Sequence, residues 1–237
     1  GDVNSDDRLL QDLHIDRIYD TYVDEDLFWQ TDEWVGAFAD TLERRTYSTR
    51  EFLYELAGQL DDEDSILYTA RKYNVPIFCP AINDSSIGIG LTDHYYRMRQ
   101  ENQPYMSIDS IRDNYELTQI VVNSPKTAAV YVGGGVPKNY INDSIVMSYI
   151  FGKVTGGHAY AFQVTTANPA DGGLSGSTLS EATSWGKVNK QATHSMAFVE
   201  STIALSLIIG YALQEQLSES RTRLNMKWNG DQLNSLT

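Results

Sequence analysis

A tryptophan and a lysine separated by one glycine form the segment with the clearest chemical potential in this chain. The two residues are Trp185 and Lys187, with Glu181 shortly before them. In an extended segment their side chains point to the same side. An indole can stack on a cationic ligand or exclude water from the amine, and a desolvated lysine is a nucleophile towards a carbonyl or an imine. A surface lysine lying along a packed tryptophan explains the same residues, so both interpretations stay open.

Three consecutive glycines form a second candidate. Gly133, Gly134 and Gly135 follow an apolar run and precede a predicted helix. Glycines at such a position let the backbone approach a phosphate or ribose, and a helix N-terminus favours an anion. The spacing is not the dinucleotide-binding fingerprint G-x-G-x-x-G, and a tight turn that needs positive φ explains the glycines nearly as well.

Three further loops carry polar residues that could face a ligand. Asp84 lies in the loop 80–86, Asp171 lies in the long loop 165–180, and Glu200 follows a short apolar run. Long loops inside a compact domain are often functional. For Asp84 and Glu200, simple N-capping of the next helix is the competing interpretation. The consecutive acids at 61–64 predict a solvated loop and not a metal site, because adjacent carboxylates do not converge on one ion.

Strands and helices are predicted to alternate from residue 74 onward. Apolar runs predict strands at 75–79, 127–132, 159–164 and 196–199, and helical spacing predicts helices at 87–98, 108–122, 137–150 and 201–214. Earlier in the chain, helical spacing spans 33–45, and Ser48 and Glu51 have capping-box spacing. This alternation predicts an α/β fold with a parallel sheet covered by helices on both faces, in one domain over 1–237. Ligands of such sheets bind at the carboxyl ends of the strands, where we expect all these loops.

Charge and composition restrict the partners. The net charge of −14 argues against a nucleic-acid partner, and it favours cationic partners such as polyamines or a basic protein loop, although plain solubility explains it too. No apolar run has the length of a bilayer crossing, so no membrane partner is expected. The single cysteine, Cys79, favours a reducing interior, and we expect a cytoplasmic protein.

Several of these segments together resemble the deoxyhypusine synthase family. The resemblance rests on the run from Gly133 to Lys138, on the glycine-containing loop through Ser177, and on Glu181 followed by Ser184, Trp185, Gly186 and Lys187, in this order. It covers nearly the whole chain, and Ser-Trp-Gly-Lys is its most specific part. It implies a Rossmann-like α/β fold whose N-terminal strand–helix units are missing from this chain.

The resemblance also implies a reaction. NAD would take a hydride from a polyamine such as spermidine, and the resulting butylimine would move to the enzyme lysine that matches Lys187. It would then pass to a lysine of the translation factor 5A precursor, and hydride return would complete deoxyhypusine. The family is typically a homotetramer with active sites shared between subunits.

Individual positions carry over from the family. Trp185 would pack on the aliphatic amine chain, and Glu181 would hold an ammonium end. The cofactor positions are Asp84, Gly133, Gly134, Gly135, Thr166, Asp171 and Glu200.

This chain departs from the eukaryotic family pattern in its amine pocket. Ile89 and Leu174 replace acidic residues, and Asn139 replaces a histidine that assists proton removal. Asp93 and Asp143 lie one helical turn beyond Ile89 and Asn139, so we take Asn139 and Asp143 as substrate-binding residues, with Asp143 or His94 as a hypothetical base. A solvated helix face for the aspartates and a packed position for His94 are the competing interpretations.

Two other functions stay open at this stage. The same chemistry with a small-molecule acceptor or another amine donor, as in homospermidine synthase or an agmatine user, fits the three departures. A non-catalytic partner subunit fits a chain without the N-terminal units, whereas the presence of Trp185 and Lys187 opposes it.

Overall fold

The computed structural model describes residues 1–219 and 221–237. The chain divides into two compact units. The first unit comprises Gly1–Tyr47 and Ala81–Asp109, and the second comprises Ser48–Pro80 and Ser110–Thr237. The single domain expected over 1–237 stays a prediction, and each unit is described by itself.

Helices and strands follow one another along the chain in a mixed order. The helices are α1 Asp7–Asp12, α2 Glu25–Thr41, α3 Thr49–Ala57, α4 Ile66–Lys72, α5 Ser86–Gln100, α6 Ser110–Asn123, α7 Val136–Ile150, α8 Leu179–Ser184 and α9 Ser201–Gln214. The strands are β1 Ile15–Ile18, β2 Thr21–Asp24, β3 Thr46–Tyr47, β4 Ser107–Ile108, β5 Ala128–Val132, β6 His158–Val164, β7 Val188–Ala197, β8 Met226–Asn229 and β9 Gln232–Leu236. A short 3₁₀ helix spans Pro169–Asp171.

The first unit is built around the packing of α2 against α5. Asp24 starts α2 by accepting a hydrogen bond from the backbone N–H of Leu27 at 3.0 Å. The helices approach closely at Gly90, where a Cβ would lie 2.4 Å from the carbonyl oxygen of Asp32. Helix α1, the antiparallel hairpin β1–β2 and the parallel pair β3–β4 complete the secondary structure described for this unit.

A buried polar cluster in the first unit engages His94. Its Nδ1 lies 2.6 Å from Oδ1 of Asp40, and its Nε2 accepts a hydrogen bond from the backbone N–H of Met106 at 3.2 Å. Arg97 bonds to both Asp40 and Asp93. Because both ring nitrogens of His94 are engaged in buried contacts, the structure supports the packed position over a role as base.

The second unit contains a three-stranded parallel sheet in the order β5–β6–β7. The register pairs Val130 with Phe162 and Gln163 with Met196. Apolar side chains of the connecting helices α7 and α8 pack on one face of this sheet. The helices contribute Ile141, Leu179 and Ala182, and the strands contribute Ala129, Tyr131, Ala161, Val188, Ala192 and Met196. Strands joined through helices in this way confirm the Rossmann-like α/β prediction.

The other face of the same strands is open in this chain. Val130, Val132 and Tyr160 point away from the α7–α8 side and are exposed. Nearly every large apolar residue of α9 is exposed as well. We therefore find the helices of the sheet connections on one face, where the sequence predicted cover on both.

Most predicted elements agree with the structure to within a few residues. Helices α5, α6, α7 and α9 and strands β5 and β6 lie where they were predicted. The capping box that begins α3 is confirmed, because Glu51 N donates to Ser48 Oγ at 3.2 Å and Ser48 N donates to the Glu51 carboxylate at 3.4 Å. The predicted helix over 33–45 is real but both begins and ends earlier, spanning Glu25–Thr41.

Two strand predictions were wrong. Residues 75–79 do not form a strand, and the N–H of Cys79 donates to the Thr49 hydroxyl at 2.9 Å instead of joining a ladder. The strand predicted at 196–199 is the end of β7, which begins at Val188 and ends at Ala197. Its first eight residues include many polar side chains, so apolar patterning did not reveal them.

Candidate active site

Lys187 lies at the entry to β7, directly after α8 and a turn at Trp185 and Gly186. Gly186 has φ of +72°, so the segment is a turn and not the extended stretch that the sequence analysis assumed. The turn nevertheless places the Lys187 amine 5.6 Å from the centroid of the Trp185 ring. The expected proximity of indole and amine therefore holds, although a different backbone conformation produces it.

The Lys187 amine contacts two polar side chains of α7. Its Nζ lies 2.8 Å from Asp143 Oδ1 and donates to Asn139 Oδ1 at 3.1 Å. The Asn139 amide in turn donates to Asp143 Oδ2 at 2.9 Å. The two α7 residues are one helical turn apart, so they present their oxygens on the same side of the helix. The amine, the carboxylate and the amide thus form a closed triangle of hydrogen bonds.

This triangle borders two cavities. A cavity of about 370 Å³ is lined by Lys138, Asn139, Asn142, Gly172, Gly173, Leu174, Ser177, Glu181, Ala182, Trp185 and Lys187. A second, of about 530 Å³, is lined by Pro80, Ser110, Ile111, Asn114, Val136, Asn139, Tyr140, Asp143, Val146, Met147 and Leu174. Asn139 and Leu174 belong to both linings. The volumes suit a small flexible ligand.

Glu181 lines the smaller cavity but already has a structural role. Its carboxylate accepts a hydrogen bond from Thr178 N at 2.5 Å and so closes the capping box of α8. That backbone hydrogen bond is the main reason why the pKa of Glu181 lies below its ordinary value. The side chain is exposed, so an unused lone pair remains available to a cation.

The glycine turn, by which we mean Gly133, Gly134 and Gly135, connects β5 to α7. Gly133 and Gly135 have φ of +74° and +73°, which favours glycine at both positions. A Cβ on Gly134 would lie 2.5 Å from Cα of Ser175, so this glycine permits close backbone packing. Gly135 is the N-cap of α7 and no side chain caps the helix. Pro137 has no N–H, and the N–H groups of Val136 and Lys138 in the first turn of α7 are the ones suited to a phosphate or ribose oxygen.

Three other predicted cofactor residues come after the strands β6 and β7. Thr166 and Asp171 are exposed in the segment after β6, and Glu200 follows β7. The Glu200 carboxylate caps α9 by accepting from Thr202 N at 2.8 Å. The structure thus brings the glycine turn, Thr166 and Glu200 to the carboxyl edge of the sheet, whereas Lys187 precedes β7 at its amino end.

Asp84 belongs to the first unit. It lies in an exposed turn that leads into α5, and residues 75–79 before it are not a strand. The N-cap of α5 is Ser85, whose hydroxyl accepts from Gly88 N at 3.1 Å, so the Asp84 carboxylate does not cap this helix. Its role in a cofactor site stays a prediction. Ile89 and Asp93 also lie in the first unit, where Asp93 is paired with Arg97 at 2.8 Å.

Lys138 and Gln163 were missed as site residues by the sequence analysis. Both are buried, and they bond to each other and to the loops around the glycine turn. A glutamine within the apolar run of β6 was the signal that could have drawn attention to this position, because a buried amide requires partners.

Two kinds of site receive no support from the described residues. Within 1–219 and 221–237 there is no group of three or more His, Cys, Asp or Glu side chains that could hold a metal ion. In the same residues, no helix combines the length and the apolar character that a membrane crossing requires.

Comparison with known proteins assigns the chain to a family. The family model described as deoxyhypusine synthase matches residues 1–212. A deoxyhypusine synthase-like protein of Elusimicrobium minutum is 45% identical over 94% of this chain and 59% of its own length. A protein of the same name from Chlorobaculum parvum is 43% identical over 95% of this chain and 65% of its own length. The chain thus spans about three fifths of these curated relatives.

A solved structure supports the fold. The crystal structure of an Entamoeba histolytica protein named as a deoxyhypusine synthase matches with a TM-score of 0.55, over 78% of this chain and 55% of that one. At 17% identity this likeness concerns the fold alone. The family match over residues 1–212, together with relatives above 40% identity, carries the assignment, and the chain belongs to the deoxyhypusine synthase family.

Proposed function

We propose that this chain carries the lysine of an NAD-dependent aminobutyl transferase, with Lys187 forming an imine with the butyl group of a polyamine such as spermidine. The acceptor in this proposal is a lysine of the translation factor 5A precursor, and the product is deoxyhypusine. The observation that carries the proposal is the Lys187 amine held by Asp143 and Asn139 beside Trp185, at the border of two cavities.

Lys187 needs a proton acceptor before it can react. An ammonium is not a nucleophile, so one proton must leave Nζ before the amine attacks an imine carbon. Asp143 Oδ1 is 2.8 Å from Nζ, within the range for direct proton transfer. The neutral amine then adds to the substrate imine, and the departing amine takes up a proton as it leaves. Asp143 is the residue that we assign to this proton exchange.

Asn139 fixes the geometry of that exchange. Its carbonyl oxygen accepts from Nζ and its amide group donates to the second oxygen of Asp143. An amide does not titrate, so Asn139 cannot replace the proton chemistry of a histidine at this position. In this chain the carboxylate one turn further along α7 supplies the acid–base group.

NAD would supply the redox chemistry, by taking a hydride from the amine donor and returning it at the end of the transfer. The glycine turn and the uncapped first turn of α7 are suited to its phosphate or ribose groups. Thr166, Asp171 and Glu200 are further proposed contacts in the second unit, and Asp84 is one in the first. Trp185, 73% exposed, would pack against the methylene chain of the amine and lie within cation–π range of one of its ammonium groups.

A different amine donor or acceptor is the second candidate, and it is favoured because the cavity walls contain few acidic residues. Asp143 and Glu181 are the acidic side chains among the lining residues, and both already accept hydrogen bonds. Leu174, where the eukaryotic pattern has an acid, lines both cavities. A ligand with fewer cationic groups than spermidine, or with another cationic end such as the guanidinium of agmatine, would suit these walls.

The proposed homotetramer and cytoplasmic location belong to the same proposal. Exposed apolar side chains on α9 support association with further protein surface: Ile203, Leu207, Ile209, Tyr211 and Leu213. A non-catalytic role within such an assembly is opposed by the engaged lysine and its two polar partners.

Product analysis tests the choice of donor and acceptor. The protein is incubated with NAD, spermidine labelled in its butyl portion, and either a translation factor 5A precursor or putrescine. Label in the precursor supports deoxyhypusine formation, and labelled homospermidine supports the second candidate. Lys187→Ala should abolish both products, and a Lys187→Ala variant with normal transfer would contradict the imine role.

A further inference from the structure

Lys138 is a buried cation in the second unit. The residue lies in the first turn of α7, directly after the glycine turn, and is only 4% exposed. Its amine donates to Gln163 Oε1 at 2.9 Å and to the backbone oxygen of Ser177. Both acceptors are uncharged, and loss of hydration lowers the pKa of Lys138 below its ordinary value, with Glu181 opposing the shift. Moving Gln163 or Ser177 away from this buried amine would leave its N–H groups without acceptors, which is unfavourable, so the amine holds both groups in place.

Gln163 is the main partner of Lys138 and is fully buried, with 0% exposure. It lies in β6, and its amide group donates to the carbonyl oxygen of Gly133 at 2.8 Å and to that of Ser175 at 3.0 Å. Its own carbonyl accepts from Lys138. Both N–H groups and the oxygen of this side chain are therefore used, each by a different segment of the chain.

Two segments are held in this way. One is the glycine turn, the proposed contact of the cofactor, and the other is the loop 172–177 between the 3₁₀ helix and α8, which lines the smaller cavity. Gly134 packs on Ser175 so closely that a Cβ on Gly134 would lie 2.5 Å from the Ser175 Cα. The hydrogen bonds of Gln163 to Gly133 and Ser175, and of Lys138 to Gln163 and Ser177, span these two backbones.

We infer that Lys138 and Gln163 are positioning residues that clamp the glycine turn against the loop 172–177 and thereby set the geometry of the cofactor site. This inference rests on the proposed function for its ligand, which is NAD. The clamp itself is a property of the unliganded protein and is testable without the ligand. It acts through the loops and contacts no reacting atom.

Hydrogen exchange of the unliganded protein tests the clamp directly. Gln163→Leu removes all three hydrogen bonds, and Gln163→Glu keeps an acceptor for Lys138 but loses both donors to the loops. We expect backbone amides of residues 133–135 and 172–177 to exchange on the order of tenfold faster in both variants, since loss of about one net hydrogen bond changes an opening equilibrium by that factor. The second variant also keeps the test informative if the first does not fold.

Gln119→Leu is the matched control. Gln119 is also a buried glutamine of the second unit, and its amide donates to Asp231 O at 2.6 Å and accepts from Leu233 N at 2.9 Å. These bonds join α6 to the β8–β9 hairpin, away from the glycine turn. We expect a comparable loss of thermal stability, with exchange at 133–135 and 172–177 unchanged.

Calorimetric titration with NAD measures its dissociation constant, which a general loss of stability would not change. Both Gln163 variants should bind NAD about tenfold more weakly than the wild type, whereas Gln119→Leu should bind it equally well. Unchanged exchange in the two loops of the Gln163 variants would overturn the clamp, and so would an equal effect of Gln119→Leu. A wild type that binds no NAD, with exchange accelerated only in the Gln163 variants, would overturn the proposed cofactor and support the clamp.

Discussion

At the scale of single residues, the chemistry depends on what surrounds one amine. Lys187 is half-buried and meets a carboxylate, an amide and an indole from α7 and from its own turn. Helical spacing in the sequence was enough to place Asp143 beside Asn139. The contact of both with Lys187 depends on how the Gly186 turn meets α7, which no local pattern specifies.

Asp143→Asn tests the assigned proton acceptor. We expect the rate of imine formation to fall by about 10²–10⁴-fold, because positioned general acid–base groups contribute that much. The measurement is single-turnover transfer as a function of pH, in which the loss should be smallest at high pH, where the amine is already neutral. Glu63→Gln is the control, since Glu63 also pairs with a lysine, Lys72, outside the cavity linings. A normal rate in Asp143→Asn would show that another group accepts the proton.

Trp185→Ala tests the indole at the cavity edge. Loss of a cation–π contact worth about 0.5–2 kcal/mol should weaken binding of the amine by a few-fold to about thirtyfold, and Trp185→Phe should recover part of it. The measurement is calorimetric titration with spermidine in the presence of NAD. Trp29→Ala serves as the control, because Trp29 is a similarly exposed tryptophan outside both cavity linings. Equal affinity for the wild type and Trp185→Ala would exclude the stacking role.

At the scale of elements, the helices α3 and α9 were among the most predictable parts of the fold. The capping box of α3 follows from local hydrogen bonding, and the limits of α9 follow from apolar periodicity. Both depend only on residues that are close together in the sequence. The apolar run 75–79 was misleading because its backbone groups bond outside any strand. Val75 N donates to Ala70 O at 2.8 Å, and Cys79 N donates to the Thr49 hydroxyl at 2.9 Å. The polar first part of β7 was missed for the opposite reason, since neighbouring strands can hold residues that have no strand pattern of their own.

The junction of α3 and α6 gives a prediction about pH. Thr49 donates from its N–H and its hydroxyl to Asp113, each at 2.8 Å. Burial is the main cause that raises the pKa of Asp113 to about 6, and the nearby Glu116 adds to it. The folded protein therefore holds this proton more tightly than the unfolded chain does. The resulting stability is fully present below pH 3.8 and is lost as the pH rises through about 6.

Asp113→Asn should remove that dependence. Between about pH 4 and pH 6 the free energy of unfolding of the wild type should lose roughly 2–3 kcal/mol from this group, and the difference between variant and wild type should change by that amount. The measurement is urea unfolding at several pH values. Asp109→Asn is the comparison, because it removes an exposed carboxylate four residues earlier in the chain. A difference that is constant with pH would mean that Asp113 does not titrate in this range.

At the scale of the whole molecule, exposed apolar surface is the feature that the sequence least revealed. Helix α9 was predicted at 201–214 and its limits were right, yet nearly all of its large apolar side chains are exposed in this chain. A helix that is apolar on all sides is normally covered. Cover for α9 depends on another protein surface, which is not a property of any local sequence pattern, and the chain spans about three fifths of the curated relatives it matches.

Leu207→Glu tests whether α9 supports the proposed tetramer. Burying an unpaired carboxylate in an apolar contact is strongly unfavourable, so we expect the oligomer to dissociate to smaller species. Light scattering after size-exclusion chromatography measures the mass. Ile66→Glu is the control, because Ile66 is an exposed apolar residue of α4. A Leu207→Glu variant with the wild-type mass would show that α9 is not part of the subunit interface. A monomeric wild type would contradict the tetramer itself.

The proposed function depends on covalent attachment of the amine-derived group to Lys187. Borohydride trapping tests this attachment: the protein is incubated with NAD and radiolabelled spermidine, reduced, digested, and mapped by mass spectrometry. We expect label on Lys187 and none in Lys187→Ala. Label with agmatine or putrescine but not with spermidine would keep the lysine and change the donor. Label on another lysine, such as Lys138, or no label with any amine, would contradict the claim.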